Sequence, residues 1–376
     1  MKKIAYYFWG FALIFMVLGC EKDPKPNPLE IKPEQDERIV YITNEGNFGD
    51  KKGASLTIYY PKSGKIINDA FYRVNNETYL GDVAQSSSTF KDELYIVVNN
   101  SSWVQVVDPE TIKFKASIFD YDLSPRYIEF LSPTKAYLSD LYANRISIFN
   151  PETKKIIGHV PLPKLEVKVK KRLKPVNVEQ MVRYKDLVFG CWWSYGDKVV
   201  VINTTTDAVV DNIQVGYQPN SMVIDKNNKI WVLCDGGYPK LEKSKLQRLD
   251  PETRKIDFEV AFDDPKITLS ELQIDGKGEN IYFLVNGGFI KKNQEDPRFG
   301  VYKMNVDSEK YPDAPIIKEG NDMLFYGLGI DPKTSEIYIA DAIDYQQKGV
   351  IYHYNASGGL IRDFKAGIIP GAFSFN

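Results

Sequence analysis

Histidine and cysteine are scarce in this 376-residue chain, with two of the first and three of the second. His159 and His353 each lack a second metal-ligand type at a useful spacing, so no zinc motif forms around them, and both read as structural. A Gly-x-Ser-x-Gly elbow and a phosphate loop are also missing from any strand-turn-helix setting. Charge of one sign is lacking too. The formal net charge is -2, which gives no global attraction to nucleic acid. No segment carries a convincing amphipathic-helix pattern, whereas 43% of residues are hydrophobic and 13% aromatic, enough for a large core of strands.

The N-terminus departs from this pattern. Lys2 and Lys3 precede an apolar stretch from Ile4 to Leu18, which is short for a bilayer span of about 20 residues and ends in Val17-Leu18-Gly19-Cys20. Positive start, apolar run and small residues before a cysteine predict a signal peptide over 1–19. The ending resembles a bacterial lipobox, which makes Cys20 the expected lipidation site and new N-terminus. Residues 20–37 are polar and proline-rich, so they read as a flexible tether. Glu21 and Asp23 resemble the early acidic residues of lipoproteins sent to the exterior of Gram-negative outer membranes.

From residue 38 onward the chain repeats itself. A turn-containing tail recurs as "IYYPKSGKII", "VVDPETIKFK", "IFNPETKKII", "VINTTTDAVV", "RLDPETRKID", "KMNVDSEKYP" and "HYNASGGLIR". Its third residue returns every 42 to 55 positions, close to the ~40–50 residues of a propeller blade. Upstream of each tail lies an apolar run without clean alternation, such as "LYIVVNN" or "IWVLCDG", as expected of strands covered on both faces. The sequence therefore predicts an all-β, seven-bladed propeller over 38–376. The first repeat lacks its innermost strand, and the chain ends in "GIIPGAFSFN", so the C-terminal strand is expected to close the first blade. Cys191 and Cys234 share one register in adjacent blades, too far apart to bridge, and are expected to be free buried thiols.

In such blades the loops after the second strands share one rim with the blade-to-blade connections. That rim collects Trp103, Tyr142, Trp192, Trp193, Tyr195, Tyr238, Phe289 and Tyr345, with Arg126 and Tyr326 from the connections. The opposite hairpins carry almost no aromatics. Rings gathered on one rim either plug gaps between blades or face a partner. Successive strand residues point to opposite faces, so Trp192 and Trp193 cannot share a side, and at least one is expected to be displayed. Asn44, Asn99 and Asp235 lie at the same level and offer polar contacts or loop caps. These residues form the candidate ligand-binding set; no catalytic or metal-binding residue is assigned.

The lipobox, the acidic tether, the opening stretch "YITNEGNFG" from Tyr41 and the "DPET" hairpins together resemble the YncE-like propeller lipoproteins, and more closely the BtuG-like cobalamin-binding group. That resemblance implies a surface lipoprotein of the outer membrane. It would capture cobalamin (vitamin B12) or a related corrinoid and deliver it to a BtuB-like TonB-dependent transporter. It implies no enzyme activity and no resident cofactor, membrane contact only through the lipid anchor, and no nucleic-acid partner. A glycan-binding protein or a carboxylate-dependent polysaccharide lyase is the alternative on the same rim.

Overall fold

A computed structural model describes residues 28–32, 37–163, 166–169, 172–175, 177–237, 242–262, 264, 267–287 and 296–376. Seven four-stranded antiparallel sheets make up the architecture, joined by an added two-stranded hairpin of Glu166–Val169 and Arg172–Pro175. Six of the sheets run in chain order. Their innermost strands are Ala84–Phe90, Pro125–Ser132, Val178–Tyr184, Pro219–Ile224, Thr268–Ile274 and Phe325–Ile330, which belong to blades 2 to 7.

Blade 1 is composite, as the sequence predicts. Its middle strands Val40–Asn44 and Ser55–Tyr59 precede the short outer strand Ile66–Ile67, and its inner strand is the C-terminal Pro370–Phe375. Val40 pairs with Phe375 and Thr43 with Ala372. Neighbouring inner strands touch in sequence around the axis, and Pro370–Phe375 lies between those of blades 7 and 2. The Ser374 and Ser87 hydroxyls meet at 2.7 Å, and Arg38 donates to Asp331 of blade 7 at 2.7 Å. The two chain ends thus hold one closed ring, which leaves blade 1 without an open inner edge.

Seven apolar clusters hold this ring, one at each blade-to-blade interface. Second strands such as Glu93–Val98 and Ile337–Asp341 are buried almost throughout, which explains their unbroken apolar runs. Both faces of each sheet meet a neighbour. The repeated turns have the chemistry their sequence suggests: Oδ1 of Asp108 accepts the backbone N–H groups of Glu110 and Thr111 at 3.2 and 2.9 Å. Asn150, Asn203 and Asp250 cap the equivalent turns. In blades 1 and 2 a buried second-strand tyrosine reaches the next blade's turn, Tyr41 donating to the Pro109 carbonyl at 2.7 Å and Tyr95 to that of Pro151 at 3.3 Å.

Cys191 and Cys234 are free and buried, and burial pushes both thiols up. His353 is buried between Tyr59 and Glu336, with its ring stacked on Tyr338 at 4.3 Å. The expected signal peptide and Cys20 lie outside the described residues. Part of the expected tether is not free: Ile31 is buried against the cluster between blades 1 and 2, and the Leu29 amide donates to the Arg73 carbonyl at 2.9 Å. The extended chain there lays its two apolar residues on the propeller wall, a contact that the surrounding prolines and charges disguise in the sequence. Among the described residues, no helix is long and apolar enough to cross a membrane.

Candidate functional site: the central cavity

The inner strands share an irregularity that builds the site. In every blade the pairing between inner and second strand slips near the start of the inner strand. The slip leaves out Gln85, Arg126 and Tyr127, Glu179 and Gln180, Asn220, Glu271 and Leu272, Tyr326, and Gly371. A bulge of this kind re-aims the unpaired side chain, and all of these residues line one cavity of about 540 Å³ on the propeller axis. Pro125, Pro219 and Pro370 immediately precede it in three blades, where a first strand position tolerates a missing N–H. Side chains from six blades, with bare Gly371 from blade 1, make a wall that no single blade could supply.

Its centre is an ion pair. Arg126 Nε lies 2.9 Å from both carboxylate oxygens of Glu179, and its terminal nitrogens bond Glu179 and Gln85. Their side chains are only 14% and 6% exposed, which makes the pair costly to break, although desolvation limits its net worth. The Arg126 guanidinium also lies over the Trp193 ring, 5.8 Å from its centre. Trp193 Nε1 points at Asp235 Oδ2 at a long 3.4 Å, and the Asn220 amide reaches the same oxygen at 3.2 Å. Across the cavity Tyr326 donates to Glu45 at 2.9 Å, with Tyr345 edge-on to Tyr326 at 5.7 Å.

Three carboxyls here are held above the usual range. Burial pushes Glu271 up to about 8, helped by the negative charges of Glu45 and Glu179. Burial raises deeper-lying Glu129 to about 7, against the pull of Arg183. Glu45 is raised by burial against its bond from Tyr326. Glu45 is positioned by the stretch "NEGNFG": Gly46 has φ +74°, and a Cβ there would lie 2.2 Å from the Gly53 carbonyl carbon. Only glycine permits that close turn.

The structure divides the sequence-predicted set. Arg126, Trp193, Asp235, Tyr326 and Tyr345 come together on the cavity wall. Trp192 does not: it is 1% exposed and packs in the cluster between blades 3 and 4. Asn44 is committed to the blade 1 seam, donating to Thr57 at 3.1 Å and accepting from the Gly367 amide at 3.0 Å. Asn99 donates to Ser124 and to the Pro125 carbonyl, both at 3.0 Å. Trp103 packs beside blade 1 with its N–H on the Leu80 carbonyl at 3.1 Å. Tyr195 sits in a turn at φ 71° off the cavity wall, and Tyr142 is an exposed rim ring. Tyr238 and Phe289 lie outside the described residues.

Rim aromatics Phe48, Tyr121 and Tyr142 stay 66–87% exposed around the blade 1 to blade 3 side. Sequence reasoning passed over Gln85, Glu45, Glu129, Glu179 and Glu271. The available signal was the inner-strand column: aligning "PRYIE", "VEQMV" and "PNSMV" puts a polar residue directly after each strand's first position.

The fold and this cavity define a seven-bladed propeller with a ligand-sized axial site. The chain belongs to the family described as domain of unknown function DUF5074, whose pattern it matches over residues 39–367. A comparison with curated proteins gives no match. Among solved structures it is similar to a putative 6-phosphogluconolactonase from Bacteroides uniformis, at 13% identity and TM-score 0.65, covering 91% of this chain and 100% of that one. It is also similar to the periplasmic gluconolactonase PpgL of Pseudomonas aeruginosa, at 11% identity and TM-score 0.65, covering 90% and 99%. A quinonprotein alcohol dehydrogenase-like protein from Bacteroides thetaiotaomicron gives 12% identity and TM-score 0.63, covering 89% and 77%. Identities this low carry the fold alone.

Proposed function

We propose that this protein is a lipid-anchored, surface-exposed receptor that captures a cobalamin-type corrinoid at the mouth of the axial cavity and passes it to a TonB-dependent transporter of the outer membrane. The observation that carries this reading is the wall of bulged residues, one or two from each blade, beneath an aromatic rim. A corrin is broad, partly apolar and fringed with amides. Trp193, Tyr326 and Tyr345 offer flat surface, while Arg126, Asn220 and the carboxyls offer partners for amide groups. A corrinoid is larger than the cavity, so it would seat an edge inside and rest its face on the rim. Arg126, Glu179, Asn220, Glu271 and Tyr326 stand on inner strands rather than loops, so little ordering of them accompanies binding, which favours tight capture. The test is direct: the mature protein is mixed with cyanocobalamin and desalted. Red colour eluting with the protein supports the reading, and a colourless protein peak rejects it.

A second reading has its own observation. Glu271 and Glu129 titrate near neutrality, which suits general acid or base chemistry, such as glycan elimination or lactone opening. Turnover in a panel of polysaccharides and sugar lactones, lost on Glu271→Gln, would replace the receptor by an enzyme.

A further inference from the structure

We infer that the axial cavity selects ligands that present hydrogen-bond donors without negative charge, primary amides or ammonium groups, and rejects phosphates and carboxylates. This rests on the corrinoid reading for its occupant but on the cavity wall for its chemistry. Five carboxyl side chains line the cavity, those of Glu45, Glu129, Glu179, Asp235 and Glu271, and among the described residues Arg126 is its sole cation. That cation is already engaged, with Nε and one terminal nitrogen on Glu179 and the other terminal nitrogen on Gln85. An anion entering the cavity meets a charge already balanced by its own wall and, beyond it, only further acids.

A second observation concerns Glu271 alone. The bulge in blade 6 holds it at φ 56°, a left-handed backbone that a glutamate rarely adopts, and turns it into the cavity. No hydrogen bond or ion pair engages its carboxyl among the described residues, although burial penalises its charge. The charged or titratable groups around it are Glu45 of blade 1, Tyr127 of blade 3, Glu179 of blade 4 and Tyr326 of blade 7. None is a cation. Its carboxyl faces the cavity space with no protein partner among the described residues, and a ligand N–H supplies one. Charge on this group appears as pH rises through about 8, so a donor is held more tightly above that pH and an anion less tightly.

The experiment measures calorimetric affinity for cyanocobalamin, for its monocarboxylates made by hydrolysing one peripheral amide, for spermidine and for 6-phosphogluconate. Each is run near pH 6.5 and near pH 9.5 with wild type and Glu271→Gln, about one and a half units either side of the group's midpoint. Expected are binding of the intact amide, about tenfold weaker binding of the monocarboxylates, widening of that gap at the higher pH, and its narrowing in Glu271→Gln. Monocarboxylates that bind as well as the parent, or any binding of 6-phosphogluconate, overturn the inference. If no corrinoid binds, the receptor reading falls by itself. Spermidine bound without 6-phosphogluconate then upholds the donor selectivity, and neither bound overturns it.

Discussion

Trp192 and Trp193 are adjacent in sequence yet serve opposite sides of one blade. The first lies in the apolar seam between blades 3 and 4, and the second lines the axial cavity with the Arg126 guanidinium over its ring. Trp192 ends the strand Leu187–Trp192 inside the seam, and Trp193 begins the loop beyond it, where the chain turns to the cavity. Trp192→Ala should therefore lower stability by about 3–5 kcal/mol through the void it leaves. Trp193→Ala should leave the denaturation midpoint nearly unchanged and weaken capture of cyanocobalamin. Chemical denaturation and a desalting assay on both variants check this; equal loss of stability would show that Trp193 also serves the seam.

The Arg126 and Glu179 pair supports a sharper test of the wall. Removing one partner leaves the other charged and enclosed, so Arg126→Leu should cost about 3–5 kcal/mol. The double substitution Arg126→Leu with Glu179→Leu should recover much of that loss, because no orphan charge remains. Urea titrations of the full cycle give the coupling, and a double variant as unstable as the sum of the singles would contradict a mutually dependent pair.

The propeller was legible because its rules are local and repeated. Turn residues such as Asp108, Asn150 and Asp250 recur at blade spacing, and strands covered on both faces leave long apolar runs. The missing inner strand of the first repeat and the extra strand at the C-terminus likewise pointed to each other. The cavity was less legible. Its wall comes from bulges that turn one or two residues per blade toward the axis, and the seven positions share no residue type: Gln85, Arg126, Glu179 and Tyr326 have nothing in common but their register. Rim polarity misled in the other direction. Asn44 and Asn99 resemble ligand contacts in sequence, yet buried backbone groups nearby claim their amides.

Both cysteines should be silent in the native protein. Burial raises each thiol, so neither offers thiolate at neutral pH. A thiol reagent should modify neither residue in buffer and both in guanidinium, apart from Cys20 if that residue is present unacylated. Rapid labelling of Cys191 in buffer would mean that the seam between blades 4 and 5 opens readily.

Stability should fall as pH rises from about 4.5 to about 8. Glu271 binds its proton more tightly folded than unfolded, so between those values the unfolded chain has lost a proton that the folded one keeps, and the sign of the linkage is destabilising. Below that window both states are protonated and above it neither is, so the slope vanishes at each end. Glu129 acts in the same sense up to about 7. Glu271→Gln should match wild type near the acid end and exceed it increasingly toward the alkaline end. Denaturation at several pH values reads the gap, and a constant difference would show that Glu271 is solvated in the folded state.

Removing residues 370–376 tests the closure of the ring. That segment contributes only one strand, but it is the strand against which Val40–Asn44 pairs and which separates the inner strands of blades 7 and 2. Its loss exposes the inner edge of blade 1 and deprives Thr89 and Ser87 of their partners Phe375 and Ser374. It also frees Ile39, whose amide donates to Asn376 at 2.9 Å. An unpaired edge beside an opened interface invites association between molecules. The truncated chain should lose its cooperative thermal transition and aggregate, and adding the peptide of residues 367–376 in excess should restore part of the transition. A truncation that melts as sharply as the full chain would mean that six blades and three strands hold the ring without the C-terminus.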